Sequence, residues 1–260
     1  MDLRSKMEQY EILKKHPLLY EYLPHTNWYN PKILMDMLNK YSTIYLKPNN
    51  KSRGIGIIRV KVVSNNGYEV SFEKTSKKIN RKNLVLELEQ IMIDTKKYIV
   101  QQGIDLATYH DHSFDMRIVL QKVYKTWRVT LTSAKVASSA DAIITNVAQG
   151  ATDYLLHDIL QEYDQKQNPM TTFREIIDLA HQIANVLGNR LPIMITGLDL
   201  ALDKSNKLWF IESNAKPACD KCKLVNDGLS VAKYEEAREI IKNSRKMNKT
   251  KGQNRTKYKF

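Results

Sequence analysis

Two carboxylates set at the edge of apolar runs constrain this chain more than any other feature. From Gly197 to Pro217, GLDLALDKSNKLWFIESNAKP, two apolar strands flank a polar turn, Asp203-Lys204-Ser205-Asn206. Asp199 stands between Leu198 and Leu200, and Glu212 follows Leu208, Trp209, Phe210 and Ile211. Asn214, two residues past Glu212, points to the same side of an extended strand. An unpaired carboxylate in apolar surroundings is costly, and a cation, a hydrogen-bond set or protonation must relieve it. Three oxygen donors converging from neighbouring strands suit a hard divalent ion such as magnesium. At this point the alternative stays open: a surface hairpin whose acids face water.

With 260 residues the chain can bury a substantial core, as one large domain or two lobes. No apolar run approaches the ~20 residues of a membrane helix, and the N-terminal stretch MDLRSKMEQYEILKK lacks the apolar centre of a signal peptide. A cytoplasmic protein with no membrane partner is expected. The net charge of +13 is unevenly spread: Lys242 to Phe260 holds eight Lys and Arg residues and no acid, leaving +5 for residues 1–241. Residues 242–260 therefore read as a basic disordered tail, either merely solvated or in non-specific contact with RNA or an acidic surface. The rest shows no nucleic-acid motif, so nucleic acid is not expected as a dedicated partner. Cys219 and Cys222 form one CDKC without a second ligand pair and read as two reduced structural thiols.

Along the chain, helical spacing runs from about Arg4 to His16 and stops before Pro17. Asn30-Pro31 marks the start of a second helix. Strands STIYLKP and GIIRVKVV enclose a polar loop ending in Gly54-Ile55-Gly56. Such a loop can fold over a triphosphate, with Lys47 placing an ammonium on it, or be a plain hairpin loop. Asn65-Asn66-Gly67 is a hairpin turn, RKNLVLELEQIMI a helix, and KKYIVQQGIDL a buried strand entering a polar hinge at Gln101-Gln102-Gly103. In SFDMRIVLQKVYKTWRVTLTSAKVA, two strands, Asp115 and Arg117 share one face; Arg117 is either internally ion-paired or turned to a phosphate. Two helices follow, ATDYLLHDILQEY and one with a capping box at Thr172 and Glu175 that closes at Gly188. SVAKYEEAREIIKN is the last helix.

Lys47 with its glycine loop, QQGI, FDMR, TN, GLDL and IESNAKP occur in an order that resembles the ATP-grasp superfamily. With SKMEQYEIL, YLPHT, FDMRIVLQK, TNVAQG and LWFIESNAKP, the chain looks like the YheC/YheD branch, the endospore coat-associated ATP-grasp proteins. The resemblance implies an α+β ATP-grasp fold over residues 1–241, with two lobes of antiparallel sheet gripping ATP. A smaller nucleotide-covering lobe would span about 42–100 and a larger one about 101–241. It further implies that Lys47 and Lys6 hold phosphates, that Gly54 and Gly56 cover them, and that Gln102 and Ile104 meet the adenine and ribose. Asp115 would lie at the nucleotide, Arg117 at the transferring phosphoryl group, Lys135 as a catalytic cation where related ligases often have an Arg, and Asn146 on the substrate side. Asp199, Glu212 and Asn214 would hold one or two Mg2+ ions.

The chemistry implied is carboxylate–amine ligation through an acyl phosphate, on amino-acid or peptide substrates whose identities the residues leave open. Fewer than fifty residues precede Lys47, so the expectation is that the full N-terminal domain usual in these ligases is missing. The loop NNKSRGIGI lacks an early glycine of the family pattern, TNVAQGA lacks a paired glycine, and Ser213 replaces an aliphatic residue. A non-catalytic scaffold associated with the spore coat and its proteins is therefore the competing reading.

Overall fold

In a computed structural model, which describes residues 2–64, 67–143, 145 and 150–256, two antiparallel sheets each carry their own core. Alternation builds the smaller one. In β2 (Thr43–Pro48), Ile44 and Leu46 are buried in its core while Tyr45 and Lys47 face the other side. β1 (Thr26–Trp28), β3 (Ile58–Ser64), β4 (Gly67–Phe72), β5 (Thr75–Asn80) and β6 (Tyr98–Gln102) complete the order β1-β6-β2-β3-β4-β5. α2 (Pro31–Lys40) and α3 (Leu84–Ile91) cover one face through Leu34, Met37, Leu84 and Leu88. Asn30 caps α2 as expected, its Oδ1 accepting the Ile33 N–H at 2.8 Å. The sheet takes in β1 and the core takes in α2, both ahead of the 42–100 stretch.

The larger sheet runs β10 (Thr152–Tyr154), β9 (Thr126–Val136), β8 (His112–Val123), β11 (Ile195–Leu202), β12 (Leu208–Asn214), with β7 (Thr108–Tyr109) beside β8. Both of its faces are covered, so β11 is buried almost throughout instead of alternating. On one face α1 (Lys6–Lys14), α4 (Leu156–Glu162) and α5 (Pro169–Arg190) pack on Ile118, Leu120, Leu198 and Leu200. On the other, α6 (Asp220–Leu224) and α7 (Gly228–Thr256) meet Val119 and Leu131 through Cys219, Cys222 and Tyr234. Both thiols are free and buried, as expected. β6 joins the two halves: Tyr98 and Val100 enter the smaller core and Ile99 the larger.

Several elements differ from what the sequence predicts. α5 starts at Pro169, not at Thr172, because Asn168 accepts the N–H groups of Met170 and Thr171, both at 3.1 Å. It continues past Gly188 to Arg190, and Gly188 lies under an indole: a Cβ there would come within 2.6 Å of Trp127 Cζ2. The segment predicted as helix from Ala151 opens with edge strand β10, and polar β5 pairs with β4 without apolar alternation to announce it. Residues 242–256 continue α7 as helix where a disordered tail was expected. Lys, Arg, Gln and Met are good helix formers, and a helix seated by Tyr234, Ala237 and Ile241 propagates more easily than it nucleates. Residues 257–260 and the Asn65-Asn66 turn lie outside the described residues. Among the described residues no helix is long and apolar enough to cross a membrane.

Gly188→Val adds a side chain into the Trp127 contact, against a gain in helix propensity of only roughly a few tenths of a kcal/mol. Overpacking costs about 1–3 kcal/mol, so urea unfolding is expected to show a lower midpoint with an unchanged slope. An unchanged midpoint would mean that the indole moves aside freely.

Candidate functional site

Register assembles the site. Across the larger sheet Arg117 pairs with Ser133 on one side and Asp199 on the other, and Asp199 pairs in turn with Glu212. Asp115 pairs with Lys135. These side chains share one face because they sit at alternate positions of β8, β9 and β11. On β12 the alternation is broken: Leu200 pairs with Phe210 but Asp199 with Glu212, so Ile211 is an extra residue at a bulge. Phe210 thereby stays in the core while Ile211 and Glu212 both turn into the cleft. The turn before β12 is held by Asp203, whose Oδ1 accepts the N–H groups of Ser205 at 2.8 Å and Lys207 at 3.0 Å.

Asp199 is buried and heavily partnered. Arg117 donates from Nε to Oδ1 at 2.6 Å and from its terminal nitrogen to Oδ2 at 3.0 Å, and Lys135 Nζ reaches Oδ1 at 3.1 Å. Lys135 also pairs with Asp115 at 2.6 Å, and the Thr145 hydroxyl donates to Asp115 Oδ2. Burial pushes Asp199 upward, but Arg117 and then Lys135 outweigh it and hold the carboxyl below its ordinary range. Asp115 goes the other way, raised to about 6 by burial against the pull of Lys135 and with the push of Asp199. Burial works against the charge on Lys135, yet Asp115 and Asp199 prevail and raise it.

The opposite wall is the outer face of the smaller sheet. Lys47 Nζ donates to Gln101 Oε1 at 2.6 Å, and Gln101 Nε2 donates to Thr26 Oγ1 at 3.0 Å. Burial lowers Lys47 to about 8; Glu212 opposes this and Lys6 adds to it. Lys6 Nζ lies 3.4 Å from Glu212 Oε2 and donates to the Lys51 carbonyl at 2.6 Å. Between the walls runs a cleft lined by Lys6, Lys47, Asp115, Lys135, Asp199 and Glu212 among others, with Gly54, Gln102 and Ile104 at its sides. Arg53, Gly54 and Gly56 take left-handed backbone conformations, φ 61°, 74° and 74°.

Of the residues singled out from sequence, Arg117 and Asn214 line an adjoining chamber, with Arg117 forked onto Asp199. Of the two readings of Arg117, the internal ion pair is thus the one formed in this structure. Gly56 lies outside this lining: its carbonyl accepts the Tyr98 hydroxyl at 3.0 Å and anchors the loop. Gln102 is tied to His25, accepting its N–H on Oε1 at 3.2 Å and donating its own N–H to the His25 carbonyl at 2.8 Å. Asn146 lies outside the described residues. Asn214 Nδ2 donates to Glu212 Oε1 at 3.1 Å and to Asp199 Oδ2 at 3.5 Å, so three oxygen-bearing side chains converge. Among the described residues no three His, Cys, Asp or Glu side chains gather for a metal. A third protein ligand here would therefore be the amide of Asn214, an oxygen donor that fits magnesium with Asp199 and Glu212.

One supporting residue escaped the sequence reading. Buried Gln9 on α1 donates from Nε2 to the Ser213 carbonyl at 2.8 Å and accepts the Ser213 N–H at 2.9 Å. It thus holds the backbone between Glu212 and Asn214 from 204 residues away. Ser213 in turn meets Thr196, hydroxyl to hydroxyl, at 2.8 Å. The available signal was a polar residue at a position of α1 that faces the core.

Residues 2–242 match a family model described as YheC/D like ATP-grasp. The chain is 25% identical over 222 residues to the endospore coat-associated protein YheD of Bacillus subtilis (strain 168), covering 82% of this chain and 48% of that protein. It spans about half the length of the curated relatives it matches. Among solved structures it is similar to the VanG D-Ala:D-Ser ligase of Enterococcus faecalis, with TM-score 0.56 and 12% identity over 92% of this chain and 61% of that one. The ATP-grasp ligase PsnB, solved with a phosphomimetic variant of its minimal precursor, Mg and ADP, is similar at TM-score 0.52 and 14% identity, covering 92% of this chain and 58% of that one. At such identities the likeness is one of fold, the α+β ATP-grasp fold.

Gln9→Leu keeps the bulk of α1 but strands the buried Ser213 N–H and C=O. Each buried group left without a partner costs about 1–3 kcal/mol, so the variant is expected to unfold at lower denaturant. Gln9→Ala opened to water should lose less; equal stability of Gln9→Leu and the parent would remove Gln9 from this role.

Proposed function

The chain belongs to the YheC/D-like ATP-grasp family, and from that membership we propose that it binds Mg2+ and ATP in the cleft between its sheets and activates a carboxylate for ligation to an amine. The observation that carries the reading is the cleft itself, with two lysines, Lys6 and Lys47, on one side, Asp199 and Glu212 on the other, and the Asn214 amide bonded to Glu212 from the adjoining chamber. Lys47 and Lys6 hold the phosphates, and the loop with Gly54 and Gly56 covers them. Gln102 and Ile104 flank the base and ribose, beside Asp115. Asp199, Glu212 and Asn214 are the residues that would hold magnesium, which when bound offsets negative charge on the phosphate oxygens.

Arg117 and Lys135 stand where the terminal phosphoryl group is transferred. A substrate carboxylate oxygen forms the new bond to phosphorus as the bond to the bridging oxygen breaks, and ADP leaves with that electron pair. An amine then attacks the acyl carbon, phosphate departs, and the amine loses a proton. The chain supplies position and charge and no covalent nucleophile. The substrates are amino acids or peptides, and the setting is a soluble, spore-coat-associated one. A second reading, a nucleotide-holding coat component without turnover, is favoured by the closed Arg117–Asp199 pair.

Calorimetry should show ATP binding that requires Mg2+, weakened at least tenfold, about 1.4 kcal/mol, in Glu212→Ala. ADP release with a carboxylate and an amine, lost in Asp199→Asn, separates ligase from scaffold. Binding that ignores both magnesium and Glu212 would end the proposal.

Lys47 gives an independent check through pH. Its folded value of about 8 means that the free protein loses this ammonium as pH rises through that point. Polyphosphate beside it favours the charged form, so the bound value is higher than the free one. ATP binding above pH ~8 should therefore take up a proton, and affinity should fall as pH rises. Calorimetry in buffers of different ionisation enthalpy measures the uptake. Lys47→Arg, which does not titrate, should abolish it, and zero uptake by the parent would detach Lys47 from the phosphates.

A further inference from the structure

Beyond Arg117 the nucleotide cleft continues into a second chamber, with which it shares Ser52, Lys135 and Glu212. Three of the charges on this boundary are already matched within the protein. Arg117 is forked onto Asp199, Lys135 lies between Asp115 and Asp199, and Glu212 meets Lys6. The farther wall differs. Arg53 from the glycine loop, Lys216 from the turn after β12 and Lys221 from α6 all line the chamber and are exposed. None of them has an ion pair or side-chain hydrogen bond among the described residues.

The acids on this wall are Asp153 and Asp220, and Asp153 already accepts the Ser133 hydroxyl at 2.6 Å. The position of the lysine-bearing turn is built into the fold by Gly197. A Cβ at residue 197 would stand 2.6 Å from Pro217 Cβ and 3.1 Å from Arg117 Cδ, so only glycine lets the turn close down beside the guanidinium. The same glycine thus seats Lys216 next to the place of phosphoryl transfer. Unpaired cations held by separate segments around one opening favour a ligand that brings negative charge of its own.

We infer that this chamber receives the acceptor, and that the acceptor is acidic: an amino acid or peptide with a second carboxylate, held by Arg53, Lys216 and Lys221 while the first reacts. The inference rests on the ATP-dependent reading of the cleft and adds the substrate class. The second carboxylate is unchanged by the reaction; only the first takes the phosphoryl group, with ADP leaving.

The test uses the full chain with Mg2+ and ATP, hydroxylamine as the amine, and either L-glutamyl-L-glutamate or L-alanyl-L-alanine as carboxylate. Hydroxamate and ADP are measured together, and binding of each dipeptide to the ADP- and Mg2+-loaded protein is followed by calorimetry. The expected result is a preference for the acidic dipeptide of about tenfold or more, the scale of one charge-assisted contact. Lys216→Ala with Lys221→Ala, both exposed, should erase that preference while ATP affinity stays as in the parent. Equal binding of the two dipeptides, or a double variant that keeps the preference, overturns the inference and leaves ATP binding intact. Retention of RNA in place of the acidic dipeptide, lost in the same variant, assigns these cations to nucleic acid and overturns it too. Absence of Mg2+-dependent ATP binding sinks the cleft reading and this inference together.

Discussion

The structure of this chain turns on one carboxylate. Ionised Asp199 in the middle of a doubly covered sheet would be prohibitively costly alone, and a buried pair with one partner removed is worse than no pair. Arg117 supplies a two-point fork and Lys135 a third contact, while Asp115 balances Lys135. Two cations and two acids thus close on themselves, and the sheet centre is electrically neutral. Lys47 is outside that balance. It is half-buried, and its direct partner is an amide, Gln101, which is why desolvation lowers its pKa where Lys135 is raised. An anion entering the cleft meets a cation with no carboxylate bonded to it.

α1 ties this electrostatic centre to the loop above it. Asn49, just after β2, accepts the Met7 N–H at 2.9 Å and its amide donates to Ser5 at 3.0 Å. One residue on, Lys6 touches both the Lys51 carbonyl and Glu212, and one turn later Gln9 pins Ser213. A single short helix therefore registers the glycine loop against the bulge of β12. Displacing one without the other means breaking buried hydrogen bonds, which is where the stiffness of the cleft resides.

Much of the fold could be read from sequence, and what could not has identifiable physical causes. Alternation in β2 and β8 places Lys47, Asp115 and Arg117 on the faces turned away from the apolar cores, and Asn30-Pro31 marks a helix start by local chemistry alone. The role of Gln9 was illegible because its partner is distant in sequence: a polar residue on the core-facing side of α1 is visible, but what it bonds is not. The bulge at Ile211 hid within an unbroken apolar run, in which strand alternation and its violation look alike. Asn168 and Thr172 both carry capping chemistry; the true start of α5 was decided by Pro169, which fits the first helical position. Gly188 suggested a helix end, but it reports contact with Trp127. The magnesium and nucleotide roles of the cleft residues came from order of motifs, and on them the fold bears only through proximity.

On the proposed reading, the closed state of Asp199 also bears on the ligand that the site would take. Both of its oxygens are engaged, by Arg117, Lys135 and Asn214. On the proposed reading, an oxygen offered to a cation is one withdrawn from Arg117 or Asn214, and a bare divalent ion would leave a buried guanidinium short of its partner. A cation that arrives with its own phosphates restores the balance, because the anion replaces for Arg117 and Lys135 what the metal removes. On that reading the network would disfavour free metal and favour the metal–polyphosphate complex, through the same ion pairs that let the carboxylate be buried at all.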